Sequence, residues 1–164
     1  MNEINRVATL NEILKAKAKK KKKTGNVNYK KVEWNGIKFA SITEKNEYIK
    51  FDLLQKAGKI INLRKGETVV LVKMGKFIKN GKVSKQEDLK YTPDAEFYAI
   101  DLDFHGCKIK GKNVIVEVKS PITAKKTDYS MRRRMFLNTL KKDEVFLEVI
   151  VDKKSFKTVL WEVK

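Results

Sequence analysis

The chain has 164 residues, the size of one domain with a substantial core, and its formal net charge of +18 indicates a polyanionic partner such as nucleic acid. A single cysteine and a single histidine exclude an internal disulfide and a four-ligand structural zinc site. No apolar stretch approaches the roughly 20 residues of a membrane span and no signal-peptide core is present, so we expect a cytoplasmic protein without a membrane partner.

Residues 1–31 are predicted to form a basic N-terminal helix or tail ahead of a folded domain, residues 32–164. Apolar residues at helical spacing come first, and a run of like charge follows, which repels itself until it meets an anion. That run is Lys19, Lys20, Lys21, Lys22 and Lys23. It suits a DNA-binding arm and a solvated tail equally well. The lysine excess of the whole chain also fits nucleic-acid binding, although an AT-rich genome produces it too.

Turn and capping signals predict a hairpin and then a helix. Asn35-Gly36 lies between two short apolar segments and is typical of a type I′ hairpin turn. Ser41 and Glu44 have the spacing of a capping box, and Gly58 is expected to end the helix that follows. The predicted buried stripe of this helix is Tyr48, Ile49, Leu53, Leu54 and Ala57.

The rest of the chain predicts several strands and a second helix. The predicted strands are residues 68–72 (buried), 95–104 and 107–119 (a long antiparallel pair), 145–151 and 158–163. Residues 74–90 are rich in Gly, Lys and Asn and are expected to form a loop or irregular hairpin. Residues 127–142 have helical spacing, with Met131, Met135, Leu137 and Leu140 facing inward. This order predicts an α/β fold with helices on the faces of a mixed sheet.

The long strand pair brings two acidic residues together. A two-residue turn at His105-Gly106 places Asp94 directly opposite Glu117, although a bulge at Gly111 would shift the register by one. Opposed Cβ atoms lie about 4.5–5.5 Å apart, so two carboxylates there need a cation between them. Hard oxygen ligands favour Mg²⁺ or Mn²⁺.

A lysine completes this candidate site. Lys119 lies two residues after Glu117 and therefore on the same face of the strand. An ammonium group beside a metal-bound water can orient it, favour its ionised form and offset the charge of a phosphate. Glu-x-Lys on a half-exposed strand is common when taken alone. Preceded by Pro-Asp on the adjacent strand, it predicts the hydrolysis of a phosphodiester.

From about residue 34 to residue 151 the chain resembles small phage-encoded nucleases of the PD-(D/E)XK, restriction-endonuclease-like superfamily, to which Holliday-junction resolvases belong. The matching segments are Phe39-Ala-Ser-Ile-Thr-Glu44 with Tyr48 and Gly58, Tyr91-Thr-Pro-Asp94, Val116-Glu-Val-Lys119, and Tyr129-Ser-Met-Arg-Arg-Arg134 with Phe136. The resemblance implies a restriction-endonuclease-like core, a mixed β-sheet flanked by helices. The chain departs from the pattern at Leu63-Arg64-Lys65-Gly66, where a glutamine is often found, and at Ser120-Pro121, where a glycine is common. Its gap from Asp94 to Glu117 is also longer than usual.

The resemblance also implies a catalytic role for each site residue. Asp94 and Glu117 would be the metal ligands, with the carbonyl of Val118 as a third, and Lys119 the catalytic lysine. Glu44 resembles the accessory acid of such sites, while its alternative role is the capping box alone.

Three consecutive arginines resemble basic residues at the start of the second helix in this superfamily. Arg132 and Arg134 would grip a phosphate of the DNA, with Arg133 beside them. The alternative is a solvated helix face, and at least one of the three must point away from the site.

The function implied is a Mg²⁺- or Mn²⁺-dependent DNA endonuclease that leaves 5′-phosphate and 3′-hydroxyl ends. A small nuclease without a target-recognition domain is expected to read DNA shape, so branched DNA such as a Holliday junction or another recombination intermediate is the preferred substrate, ahead of plain duplex. Two symmetric cuts would then require a homodimer, working in the host cytoplasm if the protein is phage-encoded. The main alternative is a non-catalytic basic nucleic-acid-binding protein with a nuclease-like fold. An RNA-directed activity is a weaker one, because aromatic residues do not interleave with the basic ones.

Overall fold

A mixed five-stranded β-sheet is the centre of the fold, in a computed structural model that describes residues 32–152 and 155–164. The strands are β1 (Val32–Trp34), β2 (Ile37–Phe39), β3 (Ile60–Arg64), β4 (Val69–Val72), β5 (Lys76–Lys79), β6 (Lys82–Lys85), β7 (Leu89–Tyr91), β8 (Ala95–Ala99), β9 (Leu102–Phe104), β10 (Cys107–Ile109), β11 (Lys112–Lys119), β12 (Glu144–Val151) and β13 (Phe156–Glu162). The helices are α1 (Ile42–Lys56), α2 (Pro121–Ala124) and α3 (Thr127–Leu137).

The central sheet has the strand order β13-β12-β11-β8-β3. Strands β11 and β12 run parallel, and every other neighbouring pair in this sheet is antiparallel. A parallel pair needs a crossover connection, and α2 and α3 form it. The predicted mixed α/β class is therefore confirmed.

The two faces of the sheet carry separate clusters of buried apolar residues. On one face, Phe51 of α1 packs against Phe97 of β8, with the ring centroids 5.1 Å apart. On the other face, Phe136 of α3 packs against Phe146 of β12 and stacks on Tyr91. Because side chains alternate along a strand, β11 contributes Val116 to the first face and its odd-numbered residues to the second.

The predicted register of the long strand pair is confirmed. Val116 faces Ala95 and Val114 faces Phe97, and beyond the turn Cys107 faces Phe104 in the same register. Gly111 adopts a φ of +64° without shifting this register.

The sequence had suggested that both strands of this pair are continuous. In the structure, each of them is interrupted. The backbone amides of Ile100 and Asp101 both donate to the carbonyl of Lys59, after α1, instead of to the opposite strand. The amide of Gly111 donates to Ala99 O. Each predicted long strand is therefore divided in two, into β8 and β9 on one side and β10 and β11 on the other.

Type I′-like turns connect three hairpins among the described residues. The predicted turns Asn35-Gly36 and His105-Gly106 both have positive φ at their two central residues. Asn80-Gly81 has the same geometry, and it joins β5 to β6. Residues 74–90 thus include a regular hairpin.

The start and end of α1 were predicted correctly, but its buried face only in part: Tyr48 is buried and Leu54 packs on the core, whereas Leu53 and Ala57 are exposed. The hydroxyl of Ser41 caps the helix by accepting from the Glu44 amide at 3.1 Å, and Gly58 follows the last turn with a φ of +70°. The buried stripe contains Glu44, Glu47, Tyr48 and Phe51. Leu53 is 58% exposed, because it lies more than half a helical turn around from Phe51.

Three further predictions need correction. Helix α3 ends at Leu137 and not at residue 142, since the Thr139 amide and hydroxyl both bond to Phe136 O. Met131 is exposed, because the inward face of α3 is set by Tyr129 and Phe136. Strand β4 is only half-buried, because it pairs with β7 outside the central sheet.

Some expectations concern residues that the structure does not describe. Residues 1–31, with the lysines at 19–23, lie outside the described ranges, so the basic tail and the boundary at residue 31 stay predictions. Within the described ranges, no helix is both long enough and apolar enough to cross a membrane.

Candidate active site

The ends of two neighbouring strands hold the acidic pair. Asp94 immediately precedes β8, and its amide donates to Val116 O of β11 at 2.9 Å. Its carboxylate Oδ2 accepts from the Val118 amide at 2.7 Å. These two bonds fasten both the backbone and the side chain of Asp94 to β11, beside Glu117.

Lys119 completes the cluster from the same strand. Its Nζ forms a salt bridge with Glu117 Oε1 and lies 3.7 Å from Asp94 Oδ2. It also donates to the carbonyl of Val118 at 3.4 Å. The predicted catalytic residues Asp94, Glu117 and Lys119 are thus in mutual contact.

Burial gives these groups unusual acidities. Burial, followed by the negative charge of Asp94, raises the pKa of Glu117 to about 7. Burial also raises the pKa of Asp94, although Lys119 partly offsets this. Burial disfavours the charged form of Lys119, but the charges of Glu117 and Asp94 outweigh it and raise the Lys119 pKa. The carboxylate pair therefore carries too much negative charge for its surroundings and attracts a cation.

The donor set fits a hard divalent cation with few protein ligands. Oε2 of Glu117 is buried and makes no hydrogen bond within the described part of the chain. Two carboxylates and the Val118 carbonyl are the oxygen ligands that Mg²⁺ and Mn²⁺ prefer, and Mg²⁺ commonly keeps several waters. Residues 32–152 and 155–164 contain no cluster of three or more His, Cys, Asp or Glu side chains with metal-binding geometry. The remaining ligands would therefore be water or substrate oxygens.

Glu44 reaches the site from α1. It is buried, and its negative charge raises the pKa of Asp94. Its Oε2 accepts from the Ala40 amide at 3.0 Å, not from Ser41 as a reciprocal capping box requires. Its other oxygen forms a salt bridge with Lys65, which follows β3. The resemblance implies an accessory acid near Asp94, and Glu44 lies close enough to act on the charge of that residue. Its carboxylate is paired with a second lysine, Lys65.

A buried ion-pair cluster adjoins the site on β12. Glu148 lies beside Glu117 in the parallel register and is 1% exposed. It accepts from the Tyr129 hydroxyl at 2.8 Å and from Arg133 Nη1 at 2.8 and 2.9 Å. The Tyr129 ring lies 5.5 Å from Lys119 Nζ, which connects the two clusters.

The three arginines of α3 divide into two groups. Arg133 faces inward, where it also lies 4.9 Å from the Trp161 ring. Its guanidinium is paired with Glu148. Arg132 and Arg134 are exposed, and their role as phosphate ligands stays a prediction.

Several residues of the site were not predicted from the sequence. Glu148 has three apolar residues on each side of it in β12, and an acid within such an apolar run is a usable signal for a buried charge. Tyr91 lies beside Glu117, and burial with the charge of Glu117 raises the pKa of its hydroxyl. Lys65 carries no sequence signal, because its approach to Glu44 depends on how β3 follows α1.

The comparisons with known proteins identify a family and include a weak match to a solved structure. Residues 20–158 match the family described as "Protein of unknown function (DUF1064)". No curated protein matches the chain. A solved structure described as "Crystal structure of SSO0001" is 13% identical with a TM-score of 0.35. That alignment covers 72% of this chain and 49% of the other, so this chain spans about half the length of that protein. Since the family match extends over most of the sequence, the chain belongs to the DUF1064 family.

Proposed function

We propose that this protein is a Mg²⁺- or Mn²⁺-dependent DNA endonuclease with a restriction-endonuclease-like core. The observation that carries the proposal is the contact of the Lys119 ammonium with two carboxylates at adjacent strand ends, the half-buried Asp94 and the buried Glu117. Burying like charges close together lowers the stability of the fold, and groups arranged in this way cluster at catalytic centres. The charge of +18 favours a nucleic-acid substrate.

Asp94 and Glu117 would hold the metal ion, together with the Val118 carbonyl. A divalent cation bound there supplies an ionised water and neutralises charge on the phosphoryl group. Lys119 acts as a donor and not as a base, because its raised pKa keeps it protonated at neutral pH. It would donate to the attacking water or to a phosphate oxygen. Glu44, whose charge acts on Asp94, would orient a water of the same site.

The substrate we propose is branched DNA, with duplex DNA as the simpler possibility. Arg132 and Arg134 are exposed on α3 and would hold phosphates by charge-assisted hydrogen bonds. Paired cuts at a four-way junction would require a homodimer.

The test is the cleavage of a labelled four-way junction, with matched duplex and single-strand controls, in Mg²⁺, Mn²⁺ and EDTA. Wild type should cut only with metal, and Asp94→Ala and Lys119→Ala should bind DNA without cutting it. Paired cuts at the branch would support a resolvase. Cuts in plain duplex would keep the nuclease and remove the junction.

A non-catalytic DNA-binding protein is the second candidate. The ammonium of Lys119 already bridges the carboxylates, and no larger acidic cluster accompanies them among the described residues. In that case Mg²⁺ and Mn²⁺ would not raise the melting temperature of wild type. Tight DNA binding without cleavage in either metal would favour this candidate.

A further inference from the structure

We propose that residues 69–91 form a β-arm that grips duplex DNA beside the candidate active site. The inference rests on the proposed function in one respect, because that function is the reason for choosing DNA as the polyanion that the β-arm binds. The β-arm comprises β4, β5, β6 and β7 with their connections.

The β-arm is a single antiparallel ribbon with an irregular middle. Strand β4 pairs with β7 at its base, and β5 pairs with β6 at its tip. Between them, the Met74 amide donates to Asp88 Oδ1 at 2.8 Å and the Gln86 amide donates to Gly75 O at 3.3 Å. At about 3.3 Å per residue, the nine steps between Lys82 and Tyr91 can extend up to about 30 Å.

Like charges face each other across the outer half of the β-arm. Lys76 is paired with Lys85, and Lys79 with Lys82. Directly opposed like charges destabilise a two-stranded ribbon. None of these four lysines forms an ion pair with an acidic side chain within the described ranges. A polyanion lying on the ribbon would remove that repulsion.

Apolar side chains are exposed between the lysines. Ile78 and Val83 face each other near the tip and are 79% and 72% exposed. Phe77 is half-exposed on the opposite side of the ribbon. A ribbon with lysines and an exposed apolar pair near its tip suits a DNA groove, because the major groove admits a two-stranded ribbon and apolar residues can wedge between base steps.

The base of the β-arm is joined to the site. Tyr91 ends β7 beside Glu117, and Asp94 follows three residues later. The segment before β4 packs on this connection, because Gly66 lies against the backbone of Pro93 and Thr68 Oγ1 lies 2.8 Å from Thr92 Oγ1. The β-arm is therefore connected directly to the segment that carries Asp94, so DNA bound along it can extend to the site.

The experiment measures DNA binding by the full chain carrying Asp94→Ala, which removes cleavage from the readout. Fluorescence anisotropy with a short duplex would be recorded over a series of salt concentrations. The arm variant replaces Lys76, Lys79, Lys82 and Lys85 with Gln. The control variant replaces four other exposed lysines, Lys38, Lys59, Lys108 and Lys110, and so has the same net charge.

The arm variant should bind duplex DNA more weakly than the control variant does. The slope of log K against log salt should fall by up to about 3.6, since each phosphate contact contributes roughly 0.9. Equal affinity and slope in the two variants would overturn the inference. A second variant, Ile78→Ser with Val83→Ser, removes the exposed apolar pair and keeps all four lysines. It should weaken DNA binding without changing the slope of log K against log salt.

Two further ligands test the choice of duplex DNA. Anionic vesicles or single-stranded nucleic acid that bind as tightly, and with the same dependence on the four lysines, would overturn the assignment to duplex DNA. The outcomes distinguish a failure of this inference from a failure of the proposed function. Arm-dependent binding without any cleavage by wild type would refute the nuclease and keep the β-arm. Cleavage with arm-independent binding would keep the nuclease and refute the β-arm.

Discussion

At the scale of single residues, Asp94 and Glu117 share a buried space with one ammonium group. The ammonium of Lys119 offsets the negative charge of the two carboxylates only in part, because the pKa of Glu117 is about 7 despite the contact with Lys119. Two acids held close together at the expense of stability are the feature on which the proposed metal site rests.

The metal-free protein should lose stability as the pH rises from about 4.5 to about 7. The Glu117 carboxyl has a higher pKa in the folded chain than its ordinary value of 4.5, so in this window the folded state binds more protons than the unfolded state. Stability is therefore highest below the window and is lost through it, by up to about 3 kcal/mol. Urea unfolding in EDTA at pH 5 and pH 7.5 measures the change. In Glu117→Gln the difference between the two pH values should shrink, and an unchanged difference would refute this.

The Glu148–Arg133 ion pair predicts that replacing Arg133 lowers the free energy of unfolding strongly, whereas replacing its neighbour Arg132 does not. Arg133→Ala leaves a buried carboxylate without its cation, and should lower the free energy of unfolding by about 3–5 kcal/mol. Arg132→Ala removes an exposed side chain and should change it by no more than about 0.5 kcal/mol. Urea denaturation of both variants gives the comparison. Similar values for the two would mean that Arg133 is not held by Glu148.

Residue types alone identified the acids and the lysine but not the orientation of the arginines. Asp94, Glu117 and Lys119 were predictable because strand periodicity and a turn position determine which side chains share a face. Arg133 was not separable from Arg132 and Arg134, since its inward position depends on where α3 docks on β12. Glu148 determines that docking, and its role appears only when β12 lies beside β11.

At the scale of the secondary-structure elements, the turn at His105-Gly106 decides the geometry of the site. It sets the register of β9 and β10, and the ladder between β8 and β11 continues the same register. This much followed from local chemistry. The interruption at Ile100 and Asp101 did not, because their amides bond to Lys59, far away in sequence. Strand β3 was likewise not predicted from its short sequence.

The loop between β3 and β4 should tolerate no side chain at Gly66. An added Cβ would lie 2.4 Å from Pro93 O and 2.8 Å from Pro93 C, both backbone atoms one residue before Asp94. Gly66→Ala should cost about 1–3 kcal/mol of stability and should weaken metal binding, since Pro93 and Asp94 must move.

The matched control is Gly75→Ala, where an added Cβ meets nothing within 4 Å. It should leave stability unchanged or raise it by about 0.4–1 kcal/mol. Thermal unfolding and Mn²⁺ titration of both variants make the comparison. Wild-type metal affinity in Gly66→Ala would show that the backbone contact does not position Asp94.

At the scale of the whole molecule, charge and the acidic site have to be considered together. The chain has a net charge of +18, yet it buries the carboxylates of Glu44, Glu117 and Glu148 and half-buries that of Asp94. Under the proposed function, the exposed surface would bind a polyanion while the acids of the site would bind a metal ion. DNA-binding proteins without catalysis have no need of the second feature.

The most direct test of this combination is single-turnover cleavage of a labelled four-way junction in Mn²⁺, with enzyme in excess so that every DNA molecule is bound. Wild type and Asp94→Asn are compared at equal saturation, and the product ends are analysed. We predict 5′-phosphate products from wild type and a rate at least about 100-fold lower in Asp94→Asn. Equal rates in the two proteins, or no cleavage by wild type of either the junction or its duplex arms, would contradict a nuclease centred on Asp94, Glu117 and Lys119.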